Sequence, residues 1–106
     1  MKLLTLPAVI VVLLAASAFD AVFAGDRELG QYLSAECVAC HQISGTAVGG
    51  VPPITGWPEA QFVAVMTAYK NKERHNPVMQ TIAGRLAADD IAALATYFGG
   101  LSSTPK

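Results

Sequence analysis

Apolar side chains recur at helical spacing in three stretches of this chain, and no stretch alternates like a β-strand. The three stretches are residues 26–41, 57–74 and 87–100. Residues 42–56 contain four glycines and two prolines, which predicts a loop. Residues 75–84 contain Pro77, which is predicted to break the second helix and leave mostly loop or a short turn. The pattern therefore predicts an all-α fold.

The ends of these stretches carry helix signals. Asp26 is a good N-cap for the first helix, and Asp89 and Asp90 suit the positive N-terminus of the last. Gly99 and Gly100 are predicted to end the last helix. Pro58 is predicted to lie in the first turn of the second helix. The positions at helical spacing are Leu29, Tyr32 and Leu33 in the first stretch, Phe62, Val65, Met66 and Tyr69 in the second, and Ile91, Leu94, Ala95 and Phe98 in the third.

The first 24 residues are predicted to be a signal peptide, because Lys2 precedes the apolar run Leu3–Ala16. Cleavage is expected after Ala24, with Ala18 as the alternative, and leaves residues 25–106 as one domain. A retained anchor is the other interpretation, but the run is short for the ~20 residues of a membrane span. The domain is therefore expected in the periplasm, without stable membrane insertion after signal removal.

Charge and size narrow the possible functions. The net charge of −1 argues against a nucleic-acid partner, because phosphate binding needs clustered positive charge. A domain of about 80 residues supplies a thin core and usually needs a metal, a disulfide or a cofactor. The chain has two cysteines, and a disulfide between near neighbours would stabilise little.

Those cysteines form the motif Cys37-Val38-Ala39-Cys40-His41, for which four kinds of chemistry compete. Zinc needs about four ligands, and the only other histidine is His75. A redox dithiol of the thioredoxin type belongs in a βαβ setting, which this chain lacks. A plain disulfide in a haem-free thiol–disulfide or structural protein is the third interpretation.

The fourth interpretation, covalent haem c, gives every residue of the motif a role. Cys37 and Cys40 lie one helical turn apart and can add to the two vinyl groups on one edge of a porphyrin. His41 then reaches the iron as the proximal ligand. Because the motif occurs once, the sequence predicts one haem, which would also fill the thin core.

Three side chains are candidates for the other axial position. Met79 is favoured, because it follows Asn76-Pro77-Val78 in a predicted loop that can approach the ring, and His/Met is a common pairing. Met66 lies on an apolar stripe and is interpreted as packing. His75 would give a bis-histidine iron, but its neighbours are polar, so it is expected to be exposed.

Residues around the haem are also predicted. A ligating histidine normally donates its second N–H to a fixed acceptor, for which the Pro52 carbonyl is favoured and that of Pro53 is the alternative. Trp57 and Tyr69 are candidate donors to a haem propionate, or ordinary edges of the core.

With these residues in hand, the chain resembles the class I c-type cytochromes. The resemblance runs from the haem motif through "VPPITG" (51–56) and "NPVM" (76–79) to "DDIAALATYFGGL" (89–101). It implies a small fold of helices wrapped around one haem, Pro52 orienting His41, and Met79 as distal ligand. It also implies a crossing of the terminal helices, in which Leu29 and Leu33 meet Leu94 and Tyr97. Gln42 and Ala87 depart from the pattern, which usually has Gly and a Ser or Thr cap at these positions.

The detailed sequence of residues 51–101 resembles that of the cytochrome subunit of flavocytochrome c sulfide dehydrogenases. That resemblance implies one-electron transfer in sulfide oxidation, with an FAD-containing flavoprotein subunit as partner, and no catalytic residue in this chain. A free periplasmic shuttle between a membrane reductase and an oxidase is the alternative, and a ligand-binding sensor with an open iron is a further one. Lys70, Lys72 and Arg74 are candidates for docking an acidic redox partner, or else form an ordinary solvated helix end.

Overall fold

The computed structural model describes residues 2–4 and 25–101, so most of the segment predicted to be a signal peptide lies outside the described residues. The helices are α1 (Arg27–Leu33), α2 (Ala35–Val38), α3 (Glu59–Lys70), α4 (Pro77–Gly84) and α5 (Ala88–Gly99). The described part contains no β-strand beyond one isolated bridge between Val48 and Val51, which confirms the all-α prediction. None of its helices has the length and apolar character needed to cross a membrane.

Helix α5 forms the centre of the core. α1 packs against α5, and α3 packs against both α4 and α5. The ring of Phe98 is fully buried, stacks on Phe62 at 5.9 Å between centroids, and meets the Tyr97 ring edge-on at 5.3 Å. The loop before α3 is tied to the same helix, because the Gly56 N–H donates to the Phe98 carbonyl at 2.8 Å. The core therefore fixes both the loop and the helices around it.

The crossing of α1 and α5 depends on a glycine that the apolar pattern does not reveal. Gly30 is buried, and a Cβ added there would lie 2.1 Å from the Ala93 carbonyl oxygen. Leu33 packs against the cluster that contains Leu94 and Tyr97, as the resemblance implied. Tyr32 is 80% exposed and takes no part in the buried face. The backbones of α1 and α5 therefore come into direct contact at Gly30 and Ala93.

The prediction of mostly loop at residues 75–84 is wrong, because this segment contains the two-turn helix α4. Asn76 is its N-cap, with Oδ1 accepting from the Met79 N–H at 3.1 Å, and Pro77 occupies the first turn. Proline is tolerated there because that N–H has no partner within the helix. Asn-Pro is therefore a helix start in this chain, and it does not end the preceding helix, which stops at Lys70.

Helix α3 is shorter than predicted, because it ends at Lys70 rather than at residue 74. Lys72 adopts φ of 60°, the left-handed conformation that stops helices and that favours glycine. At the other end, Pro58 is the residue before the first turn rather than within it.

The predicted caps of the outer helices are confirmed. Asp26 accepts from the Glu28 and Leu29 N–H groups at 3.0 and 3.1 Å. At the start of α5, Asp90 Oδ2 accepts from the Ala87 N–H at 2.8 Å. Ala87 itself has no side-chain acceptor, so this cap has only one of the two hydrogen bonds of a capping box.

Candidate functional site

A cavity of about 360 Å³ lies between α3, the start of α4 and the loop that follows the Cys-His motif. Its walls are mostly apolar, and the apolar residues are Val51, Ile54, Trp57, Phe62, Val65, Met66 and Val78. Cys40, His41 and Met79 also line it. The cavity thus combines an apolar lining with sulfur and imidazole side chains.

The Cys-His motif is a continuous helical turn. The His41 N–H donates to the Cys37 carbonyl at 2.7 Å, and the Cys40 N–H donates to the same oxygen at 3.1 Å. Cys40 is exposed at the cavity, whereas Cys37 is half-buried against the core. Gln42, the first departure from the family pattern, does not need the left-handed conformation that would favour glycine. The turn therefore forms with the residues present.

The environment of Cys37 does not suit a redox dithiol. Burial, and after it the neighbouring Glu36 carboxylate, raises the pKa of the Cys37 thiol to about 11. A nucleophilic cysteine in a thiol–disulfide exchange site needs a lowered pKa, because the thiolate is the reactive form. The environment of Cys37 therefore opposes the thiol–disulfide interpretation.

The His41 ring is held by the carbonyl of Pro52, the acceptor that was favoured from the sequence. Its Nδ1 lies 2.7 Å from the Pro52 oxygen, and a carbonyl can only accept, so Nδ1 is the donor. In the neutral ring Nε2 is then unprotonated and available as a metal ligand. The hydrogen bond fixes both the tautomer and the direction of the ring.

The three distal candidates occupy different places. Met79 is half-buried in the first turn of α4 and lines the cavity, so it is held by a capped helix rather than by the loop that was predicted. Met66 also lines the cavity but is 6% exposed and belongs to the core cluster. His75 is exposed and is not part of the cavity lining. The structure thus brings His41 and Met79 to one cavity and leaves His75 outside it.

The residues predicted to contact a haem propionate or a docking partner have contacts within the chain. Trp57 and Tyr69 both line the cavity. Arg74 donates from Nε to the Tyr69 hydroxyl at 3.0 Å, and Lys70 donates from Nζ to the Leu86 carbonyl. Lys70 and Arg74 are therefore exposed but not free, unlike the solvated basic cluster that the sequence suggested.

Two residues of the site were missed at the sequence level. Asn76 fixes the Met79 backbone, and the Asn-Pro pair before an apolar run was the signal that could have indicated a helix start. Arg74 joins the cavity wall through Tyr69, and no local sequence signal predicts that contact. Across the described residues, no group of three His, Cys, Asp or Glu side chains could hold a metal ion.

The donor set fits haem c. The Cys40 thiol lines the apolar cavity, the His41 imidazole has an unprotonated Nε2, and the Met79 thioether lines the same cavity. A flat apolar macrocycle with an octahedral metal needs this combination of apolar walls and soft or nitrogen ligands.

Comparisons with known proteins agree with this chemistry. The family model described as cytochrome c matches residues 28–102. The thiosulfate dehydrogenase electron acceptor of Thiomonas intermedia is 33% identical over 75 residues, which is 69% of this chain and 35% of that protein. The cytochrome subunit of sulfide dehydrogenase of Chlorobaculum tepidum is 32% identical over 73 residues, 69% of this chain and 66% of that protein. Cytochrome c4 of Pseudomonas aeruginosa is 34% identical over 71 residues, 61% of this chain and 35% of that protein.

The aligned parts of these relatives are limited. The match spans 35% of the first protein and 66% of the second, so each relative contains further chain with no counterpart in the alignment.

Proposed function

The chain belongs to the cytochrome c family, and on that premise we propose that it accepts electrons in the periplasm from a sulfide-oxidising flavoprotein. As a member of this family it is an electron-transfer protein with covalently bound haem c, and its role is not catalytic. The proposed attachment residues are Cys37 and Cys40, and the proposed axial ligands are His41 and Met79. The signal peptide of residues 1–24 is part of the same proposal.

The hydrogen bond from His41 to Pro52 is the observation that carries the ligand assignment. It holds the imidazole in one tautomer with Nε2 unprotonated, and it makes His41 a better electron donor to a metal. When bound, haem c supplies a one-electron couple at its iron, and a thioether ligand raises the reduction potential.

Met79 is supported as the second ligand by its place in the cavity lining. The Asn76 cap holds its backbone N–H, so the side chain starts from a fixed position. With His41 and Met79 both holding the iron, no position would be left for a substrate. The apolar side chains around the cavity exclude water, which favours the less charged ferrous state.

The ligand assignment is tested by Met79→Ala, with Met66→Leu as the matched control. Met79→Ala is expected to abolish the thioether–iron charge-transfer absorption of the oxidised protein and to let carbon monoxide bind the reduced protein. Met66→Leu removes the other cavity thioether and should keep that absorption. If the absorption survives Met79→Ala and disappears in Met66→Leu, the ligand is Met66 and the assignment is wrong.

Attachment is tested separately with the pyridine haemochrome assay. Wild type should carry one covalent haem per chain, and Cys37→Ala/Cys40→Ala should carry none. A colourless wild-type protein with two free thiols would instead support the haem-free interpretation.

The proposed partner is supported by the printed role of the Chlorobaculum tepidum relative, the cytochrome subunit of a sulfide dehydrogenase. Size-exclusion chromatography of the native protein tests it, because a tight complex would co-elute with flavin absorbance. The alternative is a free periplasmic shuttle between a membrane reductase and an oxidase, for which a lone small monomer is expected.

The contribution of charge to docking is expected to be small. Lys72 is exposed, whereas the neighbouring Lys70 ammonium is already used on the Leu86 carbonyl. Lys72→Glu should slow reduction by an acidic partner at low salt and have little effect at high salt, because exposed charges are screened within about 10 Å at 0.1 M ionic strength.

A further inference from the structure

We propose that Arg74 is a positioning residue that closes the connection between α3 and α4, residues 71–76, and thereby keeps Met79 in the cavity wall. The inference rests on the proposed function, in which the Met79 thioether binds the haem iron. Arg74 itself does not contact the metal in this role and acts through the chain around it.

The side chain of Arg74 binds the end of α3. Its Nε donates to the Tyr69 hydroxyl at 3.0 Å, and its guanidinium carbon lies 5.3 Å from the centre of the Tyr69 ring. The hydrogen bond uses Nε–H, and the second contact uses the positive charge of the guanidinium near the ring face. Tyr69 is the second-last residue of α3, so the contact closes the connection onto the helix from which it leaves.

The main chain of Arg74 binds the start of α4. The Gln80 amide donates from Nε2 to the Arg74 carbonyl at 3.0 Å, and Gln80 directly follows Met79. Arg74 therefore contacts α3 through its side chain and α4 through its carbonyl. Tyr69, Arg74 and Met79 line the same cavity, so loss of the contact between Arg74 and Tyr69 is expected to change the position of the Met79 thioether.

The connection is also tied to the end of α3 by backbone hydrogen bonds, because the Asn71 N–H donates to the Thr67 carbonyl at 2.9 Å and the Glu73 and Arg74 N–H groups donate to the Ala68 carbonyl at 2.9 and 3.2 Å. Residues 71–78 are all exposed, and Lys72 adopts a left-handed conformation that costs a non-glycine residue free energy. Apolar burial therefore contributes little here. Hydrogen bonds and the stacked guanidinium are the interactions that define its closed form.

The test measures how easily an external ligand displaces the Met79 thioether in the holoprotein. Imidazole is titrated into the oxidised protein, and the loss of the thioether–iron absorption gives the apparent binding constant. Arg74→Gln is expected to strengthen imidazole binding about fivefold to tenfold, because opening of the connection costs less without the charged hydrogen bond and the stacked cation. Arg74→Lys should lie between wild type and Arg74→Gln, because an ammonium keeps a cation that can approach the Tyr69 ring but lacks the fixed Nε–H geometry of the guanidinium.

Tyr69→Phe provides an independent variant that keeps the ring and removes the hydroxyl acceptor. It should strengthen imidazole binding by about threefold, and the effect of Arg74→Gln/Tyr69→Phe should be less than the product of the two single effects. Arg85→Gln is the matched control, because Arg85 is an exposed arginine at the opposite end of α4, and it should bind imidazole like wild type.

Imidazole binding by Arg74→Gln that equals wild type would overturn the proposal, because the contacts of Arg74 with Tyr69 would then not affect the position of Met79. The same conclusion follows if the Arg74 and Tyr69 variants lose stability in urea without any change in imidazole binding. These failures leave the ligand assignment intact if Met79→Ala still abolishes the absorption. Absence of that absorption from the wild-type protein would overturn both proposals together.

Discussion

The crossing of α1 with α5 and the cavity wall formed by α3 and α4 are held together in opposite ways. At the crossing, Gly30 brings two backbones into contact, and α5 buries most of its side chains. At the cavity wall, Val78 is 66% exposed and Met79 is half-buried, and both line the cavity. The first region is stabilised by the chain alone, whereas the second needs a bound group to bury its lining.

The largest expected effect comes from removing haem attachment with Cys37→Ala/Cys40→Ala. The haem-free chain should lose more than about 4 kcal/mol in free energy of unfolding, because the cavity lining loses its contacts and binding no longer stabilises the fold. Amide hydrogen exchange should speed up most in α3 and α4 and least in α1 and α5. An equal loss of protection in all four helices would contradict the contrast between the two regions.

The second prediction tests the crossing itself with Gly30→Ala. The added Cβ would overlap the Ala93 carbonyl at 2.1 Å, so the helices must separate and the free energy of unfolding should fall by more than about 3 kcal/mol. Urea unfolding of the holoprotein measures this change.

Gly84→Ala is the control for Gly30→Ala, because nothing lies within 4 Å of a Cβ at Gly84, the last residue of α4. It should be neutral or stabilise the protein by up to about 0.5 kcal/mol, through the better helix propensity of alanine. Similar losses for both variants would mean that helix propensity, rather than close approach, decides the result.

A smaller gain is expected in the well-packed region from Ala87→Ser. Serine would supply the missing acceptor for the Asp90 N–H and complete the capping box at the start of α5, which should add about 1 kcal/mol to the free energy of unfolding. Ala88→Ser places the same side chain one residue later, where it cannot cap, and should be neutral or slightly destabilising. A gain from Ala88→Ser equal to that from Ala87→Ser would argue against capping.

The smallest expected effect is a gain of about 0.5 kcal/mol from Lys72→Gly in the weakly held region. Glycine adopts the left-handed conformation of residue 72 without strain, and its extra entropy in the unfolded chain offsets part of the gain. Lys72→Ala removes the same charge but keeps the strain, so its urea unfolding curve should stay near wild type. If Lys72→Ala gains as much as Lys72→Gly, the effect comes from the charge.

Several features follow from short-range information in the sequence. The positions of the outer helices, the Asp26 and Asp90 caps and the membership of Leu94 and Phe98 in the core follow from spacing and side-chain chemistry alone. The haem motif is equally local, because its residues lie within one helical turn. The choice of Pro52 as the acceptor for His41 also agrees with the structure, although it joins residues 11 positions apart.

Other features depend on contacts between segments distant in sequence, which no single segment encodes. Gly30 reads as an unremarkable helix residue until Ala93 is packed against it. Asn76-Pro77 signals either a break or a start, and only the capped helix α4 decides between them. The hydrogen bonds from Arg74 to Tyr69 and from Lys70 to Leu86 likewise form only when the chain folds. The haem-binding motif can therefore be predicted from local sequence, whereas the close approach of α1 to α5 and the position of Met79 depend on where distant residues meet in the fold.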